Sequence, residues 1–556
     1  MKTRDHRGSA SGLFVLGIVA ILVAAGVLAG RSLEFPGLYY DEAVQARPAL
    51  EWATGEIRAS ALPGSHVVWV GGRPFPLMTQ PYMGGLKSQV LAGPFWLFGP
   101  DVRVLRGMTL GIALLGIGVL AFFARRAFGE PTAWLATLLL AFDPSILLLA
   151  RHDWGSFSIS LLLRSVVLLA GWLYWETRRA SLLWIAAFAL GLGFYNKIDF
   201  AIFAAGTGVA LGLCAGREVA GLIRGNGLAW AGAGVAFFAG LGPLLLHLPT
   251  ILARPSAFGF AGEEYEKIQT LWTLLDGSHF HRLMEHGGLF QRVGALEGAP
   301  SGPLVIVLGF AIAFVVFQWA TSRSKAAPGM IRCGRFLLFA NLAAIAAFVA
   351  LPGAVRIHHA LNIVPFPHLL VAFVLADLAT LGTDRVRRFV PRMAIATVVV
   401  VVVALQVAVY AETRRAFTKS GGQGRWSSVT AELARELRDT PTEVMSLDWG
   451  LHEPLALLGA GASLEEVHWR IPGTLRRTGL WRMRGNEDSL YVLHRPPFDL
   501  LGYGEPFLEA VRAQEPDSYE IRSYTDGRGQ TALVTVRFRN DHEIVYDGRF
   551  SVRSTP

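Results

Sequence analysis

Residues 132–153 read TAWLATLLLAFDPSILLLARHD, an apolar run broken once by Asp143-Pro144 and closed by Arg151, His152 and Asp153. A helix crossing a bilayer needs roughly 20 mostly apolar residues, with a range of about 17–25. This run qualifies, and runs like it recur. Working outward, the sequence predicts spans at about 12–30, 104–124, 132–150, 156–175, 181–196, 198–214, 227–249, 303–321, 335–351, 361–380 and 393–411, about eleven in all. The apolar segment 86–98 is too short, opens on Lys87 and stops at Gly99-Pro100, so it is expected to lie in the membrane interface. Composition agrees. The 556 residues are 52% hydrophobic and 17% charged, where soluble domains carry about 25% charged residues. Mean hydropathy is +0.41. A disordered chain and an ordinary soluble enzyme are excluded. Cys214 and Cys333 stand alone, so neither a disulfide framework nor a cysteine zinc site is available.

The net charge of +9 is a topology signal and not a nucleic-acid footprint. With the N-terminus in the cytoplasm, the cytoplasmic pieces carry seventeen Lys and Arg, whereas the three short outer connections carry Arg151, Lys197 and Arg356. That is a strong positive-inside bias. The first run is read as a retained anchor and not a cleaved leader. Two outer loops, 31–103 and 250–302, then belong to a membrane domain of residues 1–411. Residues 412–556 form an extracytoplasmic domain of mixed α/β character. A helix is expected at 428–438 and strands at 443–447 and 489–494. Asp526-Gly527-Arg528-Gly529 reads as a hairpin turn between strands near 519–525 and 531–539. Arginine-rich usage, with only six lysines, points to a bacterial cytoplasmic membrane.

Ionisable residues at membrane depth are expensive and mark working sites. Asp41 and Glu42 follow the interface aromatics Tyr39 and Tyr40 just beyond the first span. Arg151, His152 and Asp153 fill the next outer connection; there an Arg–Asp pair capping two helix ends is the plainer alternative. Two of the six lysines, Lys87 and Lys197, lie at the outer mouth, and Asp199 follows the second. Snorkelling explains many such lysines; a point charge for phosphate is the other reading. Arg356, His358 and His359 add cationic groups or interfacial packing. Asp143 reads as structural. Carboxylates supply a base or hold a metal, and cations bind an anionic head group. Together they suit transfer of a group from a lipid-linked phosphate.

At these residues the sequence resembles a known family. YYDE, GGLKSQVLAGPFWLFGPDVRVLRG, FDPSILLLARHDWGS, GLGFYNKIDFAIF and RIHHALNIVPFPH look like the polytopic GT-C glycosyltransferases, in the branch of the protein O-mannosyltransferase and aminoarabinose transferase superfamily. The resemblance covers about residues 10–410, in order. It implies an α-helical polytopic GT-C fold with a C-terminal α/β extracytoplasmic domain. It also implies a polyprenyl-phosphate sugar donor with its phosphate at the outer surface. By the same resemblance Asp41 is the candidate base, Glu42 an adjacent acid, Asp153 a metal ligand or acceptor-orienting group, and Lys87 a contact to donor phosphate. The stretch ATGEIRASALPGSHVVWVGGRPFP, residues 53–76, reads as an insertion.

The expected chemistry follows. An acceptor hydroxyl loses its proton to a carboxylate as it attacks C1 of the sugar, a contribution of about 10²–10⁴-fold. The leaving lipid phosphate needs cationic stabilisation. The donor-phosphate set is Lys87, Lys197, Arg151, Arg356, His358 and His359; Tyr39, Tyr40 and His152 line the pocket. A divalent metal on Asp41 and Asp153 is a candidate cofactor, and the chemistry does not require one. Single displacement inverts C1. The acceptor is an extracytoplasmic protein, glycolipid or polysaccharide. A transporter or flippase of a lipid-linked molecule competes, but it calls for charges near the bilayer midplane. A receptor or scaffold would need far fewer spans. In the tail, Asp448-Trp449-Gly450 with His452 and Glu453 reads as a ligand contact or as a capped turn. His279, His281, Glu285 and His286 read chiefly as a solvated amphipathic helix, or else as a roof over the site.

Overall fold

The computed structural model describes residues 6–57, 65–252, 264–285, 298–321, 328–351, 356–380, 385–438, 442–459 and 463–555. The chain begins with α1 (His6–Ala29) and α2 (Tyr40–Thr54), then strands β1 (His66–Val70), β2 (Arg73–Gln80) and β3 (Met83–Gly84), then α3 (Leu86–Phe98). Helices α4 (Val102–Phe128), α5 (Glu130–Ala141), α6 (Pro144–His152), α7 (Phe157–Thr177), α8 (Ala180–Asn196), α9 (Ala201–Gly225) and α10 (Gly227–Leu252) follow. Two short helices, α11 (Glu264–Leu275) and α12 (His279–Glu285), precede α13 (Leu304–Thr321), α14 (Pro328–Ala350), α15 (Ile357–Ala360), α16 (Phe366–Leu378) and α17 (Arg385–Ser420).

Among the described residues seven helices are long and apolar enough to cross a membrane, and nine spans result if α5–α6 and α15–α16 each count as one. Helices α8 and α13 are apolar but shorter. The expected apolar runs therefore all fall on helices, but two of them are broken, by 59° between α5 and α6 and by 40° between α15 and α16. Proline causes both breaks: Pro144 opens α6, and Pro365 precedes α16. In lipid every freed backbone group needs a partner from the protein. Asp143 Oδ1 accepts from the amide of Ile146 at 3.0 Å. Arg164 Nη1 donates to the carbonyls of Leu361 and Val364, both at 2.6 Å.

The described part of the first loop holds α2, a three-stranded sheet and α3. Asp41 and Glu42 occupy the first turn of α2, where acidic groups favour the helix dipole. Strands β1 and β2 pair antiparallel through Gly71-Gly72, both at positive φ. Arg73 Nη1 donates to the Trp52 and Ala53 carbonyls at 3.0 and 2.8 Å, closing the C-terminus of α2. Helix α3 has 13 residues, buries Lys87 and exposes Trp96, Leu97 and Phe98.

The C-terminal domain comprises α18 (Val429–Glu436), β4 (Glu443–Ser446), α19 (His452–Leu457), β5 (Ser463–Glu466), α20 (Ile471–Thr478), β6 (Trp481–Gly485), β7 (Ser489–His494), α21 (Gly504–Arg512), β8 (Tyr519–Thr525), β9 (Thr531–Phe538), β10 (His542–Tyr546) and β11 (Phe550–Ser554). Its main sheet runs β5-β4-β7-β9-β8, parallel on the β5-β4-β7 side and antiparallel beyond; β11-β10-β6 form a second sheet. Alternation along β7 sends Leu490 and Val492 to a core with α18 and α19, and Tyr491 and Leu493 to a core with α21. The expected helix, both strands and the Asp526–Gly529 turn lie where the sequence places them.

The described part of the 250–302 loop departs from the expected solvated helix. Helix α11 stops at Asp276, and His279, Phe280, Leu283 and Met284 of α12 are buried. Glu285 receives both Nη atoms of Arg528 from the β8–β9 turn, at 2.8 and 2.6 Å. His286 lies outside the described residues.

Candidate functional site

Helix α2 enters where α3, α6, the α6–α7 turn, the α8–α9 turn and α15 end together. Asp41 is half-buried there, and the indole Nε1 of Trp154 donates to its Oδ2. Burial pushes the Asp41 carboxyl up to about 7, against the pull of Lys197, Arg356 and Lys87. Three cations from three separate elements thus face one carboxylate. The Tyr82 hydroxyl is pushed up by burial and then by the charges on Asp41 and Asp199.

Each lysine is held by its own aspartate. Lys87 Nζ donates to the Asp153 carbonyl at 2.9 Å and lies 3.1 Å from Asp153 Oδ2. Asp153 closes α6 in the left-handed region, φ 38°, and its Oδ1 accepts from the Ser158 amide at 2.7 Å. Lys197 Nζ lies 3.1 Å from Asp199 Oδ2, which also meets His359 Nδ1 at 2.6 Å. The His358 ring packs on Trp154, centroids 4.7 Å apart. Gly155, at φ 78°, runs beneath that ring, and a Cβ there would come within 2.9 Å of it.

Other residues picked from the sequence are committed elsewhere. Glu42 is held by an arginine. Arg106 Nε and Nη2 hold its two oxygens at 2.8 Å each, and Glu42 Oε1 accepts from the Tyr39 amide at 3.3 Å. Arg151 turns to the backbone after α1, donating to Ser32 and Phe35 carbonyls at 2.5 and 2.9 Å and to the Tyr410 hydroxyl at 3.0 Å. In this structure the Arg151 guanidinium is engaged by backbone on the α1 side and by the Tyr410 hydroxyl. His152 sits in an aromatic nest of Phe280, Phe417 and Trp426. Tyr39 stacks on Trp426 at 4.4 Å and Tyr40 packs on Trp449 at 4.7 Å, so both tyrosines face the C-terminal domain. Asp448 is taken by Arg425, His494 and the Trp449 amide, and the helix that follows has no side-chain cap.

Asp153 is neutralised by Lys87, Asp41 faces three cations, and no group of three or more His, Cys, Asp or Glu suited to a metal occurs among the described residues. Sequence reasoning missed Trp154, Tyr82 and Arg106. Arg106 carried a signal, an arginine inside an apolar run; Trp154 carried only its place beside Asp153.

No family model and no curated protein sequence matches this chain. Its fold does have solved counterparts. The ArnT of Cupriavidus metallidurans bound to undecaprenyl phosphate superposes with TM-score 0.54 at 14% identity, covering 93% of this chain and 97% of that one. Its apo form gives 0.51 at 15%, covering 95% and 98%. The archaeal oligosaccharyltransferase AglB of Archaeoglobus fulgidus, in complex with an inhibitory peptide and a dolichol-phosphate, gives 0.50 at 12%, covering 86% and 69%. The likeness is one of fold: this chain has the fold of these ArnT and AglB structures.

Proposed function

We propose that the protein is a multi-pass membrane glycosyltransferase that moves a sugar from a polyprenyl-phosphate donor to an extracytoplasmic acceptor, with inversion at C1 and Asp41 as base. One observation carries this reading. A carboxylate with a carboxyl pushed up to about 7 faces Lys197, Arg356 and Lys87 at the mouth of a helix bundle. A base whose pKa lies near the working pH is the efficient kind. The fold neighbours support the donor class, since one was solved with undecaprenyl phosphate and another with a dolichol-phosphate.

In this reading the acceptor hydroxyl attacks C1 as Asp41 removes its proton. The bond from C1 to the phosphate oxygen breaks, and its electron pair leaves with the polyprenyl phosphate. Lys87, Lys197 and Arg356 stabilise the charge that grows on that phosphate. The Trp154 indole holds the Asp41 carboxylate in place. No step runs through a metal. The bundle end with the C-terminal domain faces away from the cytoplasm, as the loop charges require, in a bacterial cytoplasmic membrane. The acceptor remains one of three classes: protein, glycolipid or polysaccharide.

The test is transfer by the purified full chain in lipid, with a panel of polyprenyl-phosphate sugars and acceptors, with and without chelator. The expected result is release of polyprenyl phosphate by the wild type, its loss in Asp41→Asn, and no effect of chelator. Asp41→Asn protein with wild-type turnover would remove the base assignment. Export of an intact lipid-linked sugar without cleavage would favour a flippase instead.

A further inference from the structure

We propose that Glu453, in the first turn of α19 of the C-terminal domain, is a positioning residue for Asp41, acting through Arg47 on the helix that carries the carboxylate. This rests on the glycosyltransferase reading of the same site. Arg47 lies six residues after Asp41 on α2. Its Nε meets Glu453 Oε2 at 2.5 Å, and its Nη1 meets Glu51 Oε1 at 2.6 Å. The side chains of Arg47, Glu453 and Glu51 are only 5%, 0% and 6% exposed. On the other side His452 Nδ1 lies 3.2 Å from Glu453 Oε1. Burial works against a charged Glu453, yet Arg47 and His452 hold its carboxyl below the usual carboxylate range.

A buried ion pair is weak evidence for stability, because desolvation offsets its attraction. What it supplies here is a fixed geometry. The membrane domain grips α2 near its start, where Arg106 forks Glu42. It grips again at Gln45, whose main-chain oxygen accepts from Ser88 at 2.5 Å and whose side chain accepts from Ser156 at 2.7 Å. The C-terminal domain grips the opposite stretch through Arg47–Glu453 and through the packing of Tyr40 on Trp449. Asp41 stands between these two holds. Of the cations that face it, Lys197 at the α8–α9 turn and Arg356 before α15 lie off the gripped segments, and Lys87 on α3 is fixed by its own pairing with Asp153. Loss of Glu453 should therefore move the base and leave the donor-phosphate groups in place. Misplacement by about 1 Å far from the chemistry can cost on the order of 10²-fold in rate.

The experiment compares full-length wild type, Glu453→Gln, Glu453→Asp, and Glu543→Gln, an ion-pair position on β10 of the same domain. Steady-state transfer is measured alongside hydrogen exchange over residues 38–54. In Glu453→Gln, kcat is expected to fall about tenfold to a hundredfold with donor KM within about twofold, because only the base has moved. Exchange in α2 speeds up while the rest of the membrane domain is unchanged. Glu453→Asp, which keeps the charge that Arg47 meets, recovers part of both, and Glu543→Gln behaves as wild type. Wild-type kcat in Glu453→Gln, or unchanged α2 exchange, would overturn the proposal, and so would a Glu453→Asp variant no better than Glu453→Gln in either reading. If the wild type transfers no sugar at all, the glycosyltransferase reading fails, and α2 exchange still decides whether Glu453 holds that helix.

Discussion

His368 Nε2 lies 3.0 Å from Asp143 Oδ2, which joins the break in one span to the helix that follows the break in another. The two broken helix pairs carry much of the site: α6 ends in Asp153, and α15 carries His358 and His359. Gln406 of α17 adds a second contact to the same oxygen at 3.4 Å. The pair therefore sets how two half-spans stand against each other. His368→Ala would leave a buried Asp143 oxygen short of its partner, at a cost of about 1–3 kcal/mol. The expected outcome is a lower thermal midpoint in lipid or detergent. Asp143→Ala should lose more, because the cap on Ile146 goes too. An unchanged midpoint in both variants would show that the breaks hold without this link.

Asp41 sets the expected pH dependence. With its carboxyl at about 7, the rate should rise as pH climbs towards 7 and level off above it, since only the carboxylate accepts a proton. Stability should move the other way. The ordinary aspartate value is about 3.9, so the folded state holds this proton more tightly than the unfolded chain does. That contribution is full below the ordinary value and fades as pH rises through the folded one. Trp154→Phe removes an N–H that favours the charged carboxylate, so the midpoint of the acid limb should shift to higher pH. A profile with no limb near neutrality, or a limb that ignores Trp154, would point to another base.

Lys87 and Asp153 allow a structural role to be separated from a binding role. Lys87→Met leaves Asp153 as an unpaired buried charge, and breaking such a pair costs about 3–5 kcal/mol. Adding Asp153→Asn should restore most of that stability. Donor affinity should not return with it, because the ammonium is still gone. Thermal midpoints and binding of a polyprenyl phosphate to the two variants would decide. Recovery of both properties together would make Lys87 a structural lysine only.

Much of this layout was legible in the sequence, for identifiable reasons. Apolar run length gave the helices, since lipid leaves a spanning chain few alternatives. Lysines are scarce, so Lys87 and Lys197 stood out against the charge bias, and the fold does bring them together with Asp41, Asp153 and Arg356. Strands β8 and β9 were legible from the turn between them. Strand β2 was not. It carries Pro74 and Pro76 yet runs between β1 and β3, and proline ordinarily argues against a central strand. The breaks in two spans were hidden in the same way, because hydropathy counts residues and not the direction in which they run. For Glu42 and Arg151 the sequence displays charge and conceals partners. Both partners are far off in the chain: Arg106 for Glu42, and the carbonyls of Ser32 and Phe35 for Arg151.

Arg151 offers the sharpest contrast with the lysines. Its guanidinium closes the turn after α1 by holding two carbonyls, and it lies against the Phe417 ring, 5.1 Å from its centroid. Arg151→Ala would strand those carbonyls and lower stability by about 2–4 kcal/mol in total. Donor KM should be unchanged in the variant that remains folded, because Arg151 reaches backbone on the α1 side and not the face of Asp41. Arg151→Lys should recover only part of the stability, since one ammonium cannot reproduce a planar fork spanning three oxygens. Donor KM rising in step with the lost charge would return Arg151 to the phosphate site.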